Sequence, residues 1–175
     1  GGKAYFVGGY FNDDNRIIRQ SNVIDIYEAS TESWLTPMQL SEARSFVVAV
    51  ELNGILYFAG GTAGEESQTY YSDRIDVYNA DTDTWLPFLV LPRSRGNFAG
   101  TATANTLGFA GGFSRGHYSV VDWPRALKRT DFYDLTTGLW YDMDLSIARG
   151  HLAATSIEGF MVFAGGVGDT GRTGR

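Results

Sequence analysis

Three arginines stand at matched places in the sequence. Arg44, Arg95 and Arg149 each precede a Gly-Gly pair by 16 residues, at Gly60–Gly61, Gly111–Gly112 and Gly165–Gly166. A guanidinium is a rigid fork of donors that fits a carboxylate, so the chemistry in view is recognition of acids rather than bond making. Two readings compete for these arginines: a structural bond to backbone or to an acidic column, and an open set of anion contacts. Arg93, two residues before Arg95, would reinforce the second. Other candidate contact residues lie between the motifs. Tyr70 and Tyr71 sit in 62–72 beside Glu65 and Glu66. Arg115, Tyr118, Trp123 and Arg125 sit in 113–129, with His117, Lys128 and Arg129 against a single acid, Asp122. A Trp among arginines is the composition of an interface anchor. The alternative is that Trp123–Pro124 pins a long loop to the body of the protein.

Other chemistries have less support. The chain of 175 residues has two histidines and no cysteine, so thiolate metal sites and disulfides are out. His117 and His151 are isolated, and His151 lies in an apolar run that reads as a strand with a core histidine. Asn79, Asp81 and Asp83 resemble a calcium loop only faintly. Neither a Ser-His-Asp order nor a Gly-x-Ser-x-Gly turn occurs. No catalytic residue, metal or cofactor is therefore expected. The net charge of −6 argues against nucleic acid as a partner. No run of 18 apolar residues occurs, so no membrane-spanning helix is expected. With 43% hydrophobic and 19% charged residues, the composition is that of a folded chain with a core.

The elements that would position these residues repeat. Tyr27 and Trp34, Tyr78 and Trp85, and Tyr133 and Trp140 are each seven apart, and each Tyr ends a β-type run. Asp25, Asp76 and Asp131 form a column two residues before each Tyr. The Gly8–Gly9 pair opens the series, and the pairs recur every 51–54 residues. Each unit holds four short strand-like runs and no helical periodicity. A period near 50 with four strands is a β-propeller blade.

A Gly-Gly pair closing an apolar strand, then a Tyr, a Trp seven residues on, and an Arg leading into the next apolar strand resembles the kelch repeat. The resemblance covers essentially the whole chain. It implies an all-β fold of four-stranded antiparallel kelch blades, incomplete here. The expected division is 1–40 for part of a blade, 41–91 and 92–145 for two full blades, and 146–175 for part of another. A closed propeller has about four to eight blades, so the reading expects a longer protein or a pairing with a second half. Loops after strands two and four should share one face. Length variation is concentrated in the loop after strand two, whereas the Arg-to-Gly and Tyr-to-Trp spacings do not vary, and variable loops on a rigid scaffold are where recognition resides.

On this reading the Gly pairs and the Tyr and Trp columns are architecture. The arginines stand at the mouth of the central channel, where the resemblance implies contact with an acidic peptide. The expected function is a non-catalytic scaffold for a protein or peptide partner. A structural subunit of a larger assembly is the alternative, with self-association if the half-propeller is native. The second alternative is a kelch-type enzyme whose site lies mostly in other blades. The copper-oxidase variety would need a Cys cross-linked to a Tyr, which this chain lacks.

Overall fold

The computed structural model describes residues 2–14, 16–65, 68–115 and 125–168. The predicted Tyr118 and Trp123 contacts, and His117, lie outside the described residues.

The described chain is all strand and turn, in antiparallel sheets that repeat along the sequence. The first blade is built from β1 (Lys3–Val7), β4 (Val23–Glu28), β5 (Ser33–Trp34) and β6 (Met38–Gln39). Between β1 and β4 runs a side hairpin, β2 (Tyr10–Asn12) with β3 (Ile18–Gln20). The outer strand is split into β5 and β6 at Pro37, which has no N–H for the ladder.

The second blade starts with β7 (Arg44–Ser45) and continues in β8 (Val48–Leu52) and β9 (Ile55–Ala59). The side hairpin follows as β10 (Thr62–Ala63) and β11 (Tyr70–Tyr71), and β7 joins its edge. Then come β12 (Arg74–Asn79) and β13 (Thr84–Val90), giving the four-stranded order β13-β12-β9-β8. The third blade repeats this with β14 (Ala99–Thr103), β15 (Thr106–Ala110), the side hairpin β16 (Phe113–Ser114) and β17 (Arg125–Ala126), then β18 (Arg129–Asp134) and β19 (Leu139–Asp144). A last hairpin, β20 (Ala153–Ile157) with β21 (Phe160–Ala164), begins a fourth.

The first strand of the second blade departs from expectation. A continuous apolar strand from 44 to 50 is predicted, with Phe46 on its buried face. The chain breaks instead at Phe46, which has φ 54° and is exposed. Asn97 and His151 have φ 53° and 56° at the same place, two residues after their arginines. The break is part of the repeat: it turns the chain from its contact with the preceding blade into the inner strand. Asn and His enter the left-handed region more readily than Phe does. His151 is therefore not the core histidine expected in a strand. It is exposed, and its ring packs 5.5 Å from that of Phe113.

Apolar residues alternate along the inner strands and meet between neighbouring blades. Ile24 and Ile26 of the first blade bury against Leu56, Phe58 and Tyr78 of the second. Val77 and Ile75 of the second share a cluster with Phe98, Leu107 and Phe109 of the third. Each Tyr pairs across the ladder with its Trp. The ring centroids lie 5.3, 5.1 and 4.9 Å apart in successive blades. Trp85 also meets Phe58 and Trp140 meets Phe109, so these indoles join the apolar layers on the side of the preceding blade.

Candidate functional site: the cleft between the second and third blades

The conserved spacing of the arginines has a geometric cause. Arg44 donates its backbone N–H to Ser21 at 2.9 Å, and its carbonyl accepts from Gly9, so its main chain belongs to the first blade's hydrogen bonding. Its side chain runs the other way, into its own blade. Nη1 donates to the carbonyls of Gly60 (2.7 Å) and Arg74 (2.9 Å), and Nη2 pairs with Asp76. Arg95 repeats the arrangement. Its main chain bonds Ser72 and Gly61 of the second blade, and its side chain reaches the Gly111 and Arg129 carbonyls and Asp131 of the third. A second arginine braces each acid: Arg74 Nε lies 2.9 Å from Asp76 and Arg129 Nε 2.6 Å from Asp131.

Arg44 and Arg95 are both 0% exposed. Burial pushes each guanidinium down from its ordinary pKa, and the neighbouring aspartate opposes that. The expected ring of open arginines is thus corrected for these two: the aspartate column and converging carbonyls take their Nη donors, and Arg44 Nε lies 3.7 Å from Glu42. Arg149 follows the same path in its main chain, bonding Leu127 and Gly112. It is half-buried, and among the described residues its guanidinium meets no carboxylate.

The open cationic groups lie nearby. A cleft of about 860 Å³ opens between the second and third blades. It is on the face that carries the loops after strands two and four. It brings together three of the predicted contact residues, Tyr70, Tyr71 and Arg115, and adds Arg93. Arg93 is exposed, and its side chain engages no partner among the described residues. Arg115 spends one donor on the Thr69 carbonyl at 3.2 Å. Arg125 lies opposite Ser114 on β17. Arg74 lies 4.0 Å over the ring of Phe88, and both line the cleft.

Glu42, which the sequence reading did not single out, anchors the near wall. It accepts hydrogen bonds from Tyr70 and, at 2.8 Å, from Ser72. The bond to Glu42 is the largest cause holding the Tyr70 hydroxyl above its usual pKa, with burial second. Burial pushes Tyr71 up, while Arg115 pulls it back. A signal for the cleft was present in the repeat itself. The position two before the arginine holds Glu42, Arg93 and Ile147 in successive units. A place that changes character from blade to blade is not shared architecture. Among the described residues no group of three or more His, Cys, Asp or Glu is placed to hold a metal ion. No helix among them is long and apolar enough to cross a membrane.

Comparison with known proteins agrees with this architecture. The Kelch motif family model matches residues 43–87. The chain is 27% identical over 96% of its length to the Kelch-like protein terF of Aspergillus terreus, and covers 37% of that protein. It is 30% identical over 67% of its length to the Kelch-like ECH-associated protein 1B of Danio rerio, covering 19% of that protein. It thus spans well under half the length of these relatives. The solved structure of YjhT, a propeller, superposes on 98% of this chain and 58% of that one, with a TM-score of 0.78 at 15% identity, a likeness of fold. With its Arg, Gly-Gly, Tyr and Trp columns recurring on either side of the matched unit, the chain is a run of kelch repeats folded as blades of a β-propeller.

Proposed function

We propose that this chain serves a protein-binding scaffold, and that the cleft between its second and third blades receives an acidic segment of the partner. The observation that carries the reading is the contrast between two sets of arginines. Arg44 and Arg95 are buried inside the blades, whereas Arg93 and Arg115 keep donors unengaged among the described residues at the cleft wall beside Tyr70 and Tyr71. Tyr and Arg are the side chains that most often dominate binding energy at interfaces. The related proteins are named for kelch repeats, some joined to BTB or F-box regions. Those names are consistent with a module that holds one protein near another.

The test uses short fluorescent peptides rich in Asp and Glu, with neutral and basic peptides of matched length. The acidic set is expected to bind, more weakly as salt rises. The exposed double reversal Arg93→Glu with Arg115→Glu should weaken it by about tenfold or more, the scale of one lost charge-assisted contact, without lowering the melting temperature. Equal binding of neutral peptides, or indifference to the reversal, overturns the reading.

A further inference from the structure

The second and third blades surround the same arginine differently. Arg74 and Arg129 each stand two residues before a buried aspartate and give that acid their Nε. In the third blade the outer strand then meets the arginine with acids. Asp142, opposite Asp131, lies 3.1 Å from Arg129 Nη2, and Asp144 stands opposite Arg129 itself. In the second blade the same side of the outer strand is apolar. Val90 stands opposite Arg74, and the ladder shifts register at Pro87–Phe88, between Ile75 and Val77. Proline brings no N–H to the ladder, and the extra residue of such a shift re-aims the side chain beside it. Phe88 comes to lie under the Arg74 guanidinium, whose Cζ is 4.0 Å from the ring centroid. Beyond the Nε bond to Asp76, Arg74 meets no carboxylate among the described residues.

These side chains are open although a blade packs on either side of theirs. The Arg74 side chain is 34% exposed, Phe88 52% and Val90 47%, and all three line the cleft, with Pro92 beyond them. A guanidinium pinned at Nε and resting flat on a ring has little freedom left, so its Nη edge is a fork already oriented for a carboxylate. The charge balance agrees. Arg74, Arg93 and Arg115 face two acids in the cleft, Glu42 and Asp73, and Glu42 is already bonded by Tyr70 and Ser72.

We propose that Arg74, Phe88 and Val90 form a specificity subsite of the cleft, which reads an acidic residue followed two places on by an apolar one. The inference rests on the acidic-segment reading of the cleft and narrows it to a sequence pattern. The carboxylate lies across the Nη edge of Arg74, and the apolar side chain rests on Phe88, Val90 and Pro92. In an extended segment residues two apart point the same way and lie about 7 Å apart, which suits an arginine with an apolar shelf beside it. Arg93 and Arg115 then serve further acids of the same segment. Acid and apolar group are read together because Phe88 both supports the fork and forms the shelf.

The test uses the 175-residue chain and fluorescent acidic peptides that differ only at their centre, which reads Asp-Ser-Leu, Asp-Ser-Ser or Asn-Ser-Leu. The first should bind about tenfold more tightly than either other, the scale of one buried Leu side chain or one charge-assisted contact. Phe88→Ser should erase the preference for Leu, bringing the two Asp peptides within about twofold. Phe88→Asp, which copies the acid that Arg129 meets in the third blade, should erase the preference for Asp over Asn, because the new carboxylate takes the Arg74 donors. Phe88 is exposed, so neither variant should lower the melting temperature. Indifference of the chain to Leu, or a preference for Asp that survives Phe88→Asp, overturns the subsite. If the Arg93→Glu with Arg115→Glu reversal still weakens all three peptides in that case, the cleft takes acids without reading this pattern. If no acidic peptide binds, the subsite and the cleft reading fall together.

Discussion

Arg95 acts on two blades at once, because its main chain bonds the second and its side chain fills the third. Removing a buried partner strands the other charge, which costs about 3–5 kcal/mol. Arg95→Met should therefore destabilise the chain by about that amount in urea unfolding. The double substitution Arg95→Met with Asp131→Leu should recover much of the loss, since no charge is then left uncompensated. A double mutant no better than the single would show that the carbonyl contacts, not Asp131, are what Arg95 satisfies. The arginines and the aspartate column were both legible as spacings in the sequence. Their pairing was not, because Arg44 and Asp76 are 32 residues apart and Arg95 and Asp131 are 36 apart. Burial decided between the structural and open readings of these arginines, and burial is a property of the assembled blades. Tyr70 and Tyr71 could be picked out by type alone, whereas Glu42 gained meaning only once Tyr70 and Ser72 closed on it.

The strands themselves follow from local sequence with few exceptions. Asn53–Gly54 has φ 54° and 75°, the backbone a tight two-residue hairpin needs. The side hairpins β2–β3, β10–β11 and β16–β17 give no strand signal in the sequence, because pairs of two or three residues leave no periodic trace. Pro87 sits within β13, an exposed outer strand. The ladder shifts register opposite it, between Ile75 and Val77. A proline there also blunts an edge that would otherwise template further pairing. The glycine pairs are set by how the blades close on one another. Gly60 has φ 55°, and a β-carbon there would lie 2.7 Å from both the Arg95 carbonyl oxygen and the Phe98 ring. Gly60→Ala should cost about 1–3 kcal/mol, as strain at a left-handed position adds to the clash. The measurement is the shift in thermal midpoint. A change within error would mean that the Arg95 segment gives way freely.

Across the whole molecule, blades lean on their neighbours in one direction. Trp34 is 61% exposed and Trp85 44%, whereas Trp140 packs half-buried against the cluster shared with the second blade. Trp140→Ala should thus cost about 3–5 kcal/mol and Trp34→Ala under about 1 kcal/mol, compared by chemical denaturation. Equal losses would refute this directional packing. The sequence revealed the propeller because a repeat displays its architecture several times over. The cleft was only partly legible, since it forms where side chains of adjoining blades differ from the repeat. The side hairpins carry one more consequence. Ser114 pairs with Arg125, so both ends of the intervening stretch are fastened together at their root on the third blade. Material spliced between those two anchors would leave the Arg-to-Gly and Tyr-to-Trp distances untouched. The blade is in this sense a socket, in which a foreign epitope or reporter can be exchanged without rewiring the frame that carries it.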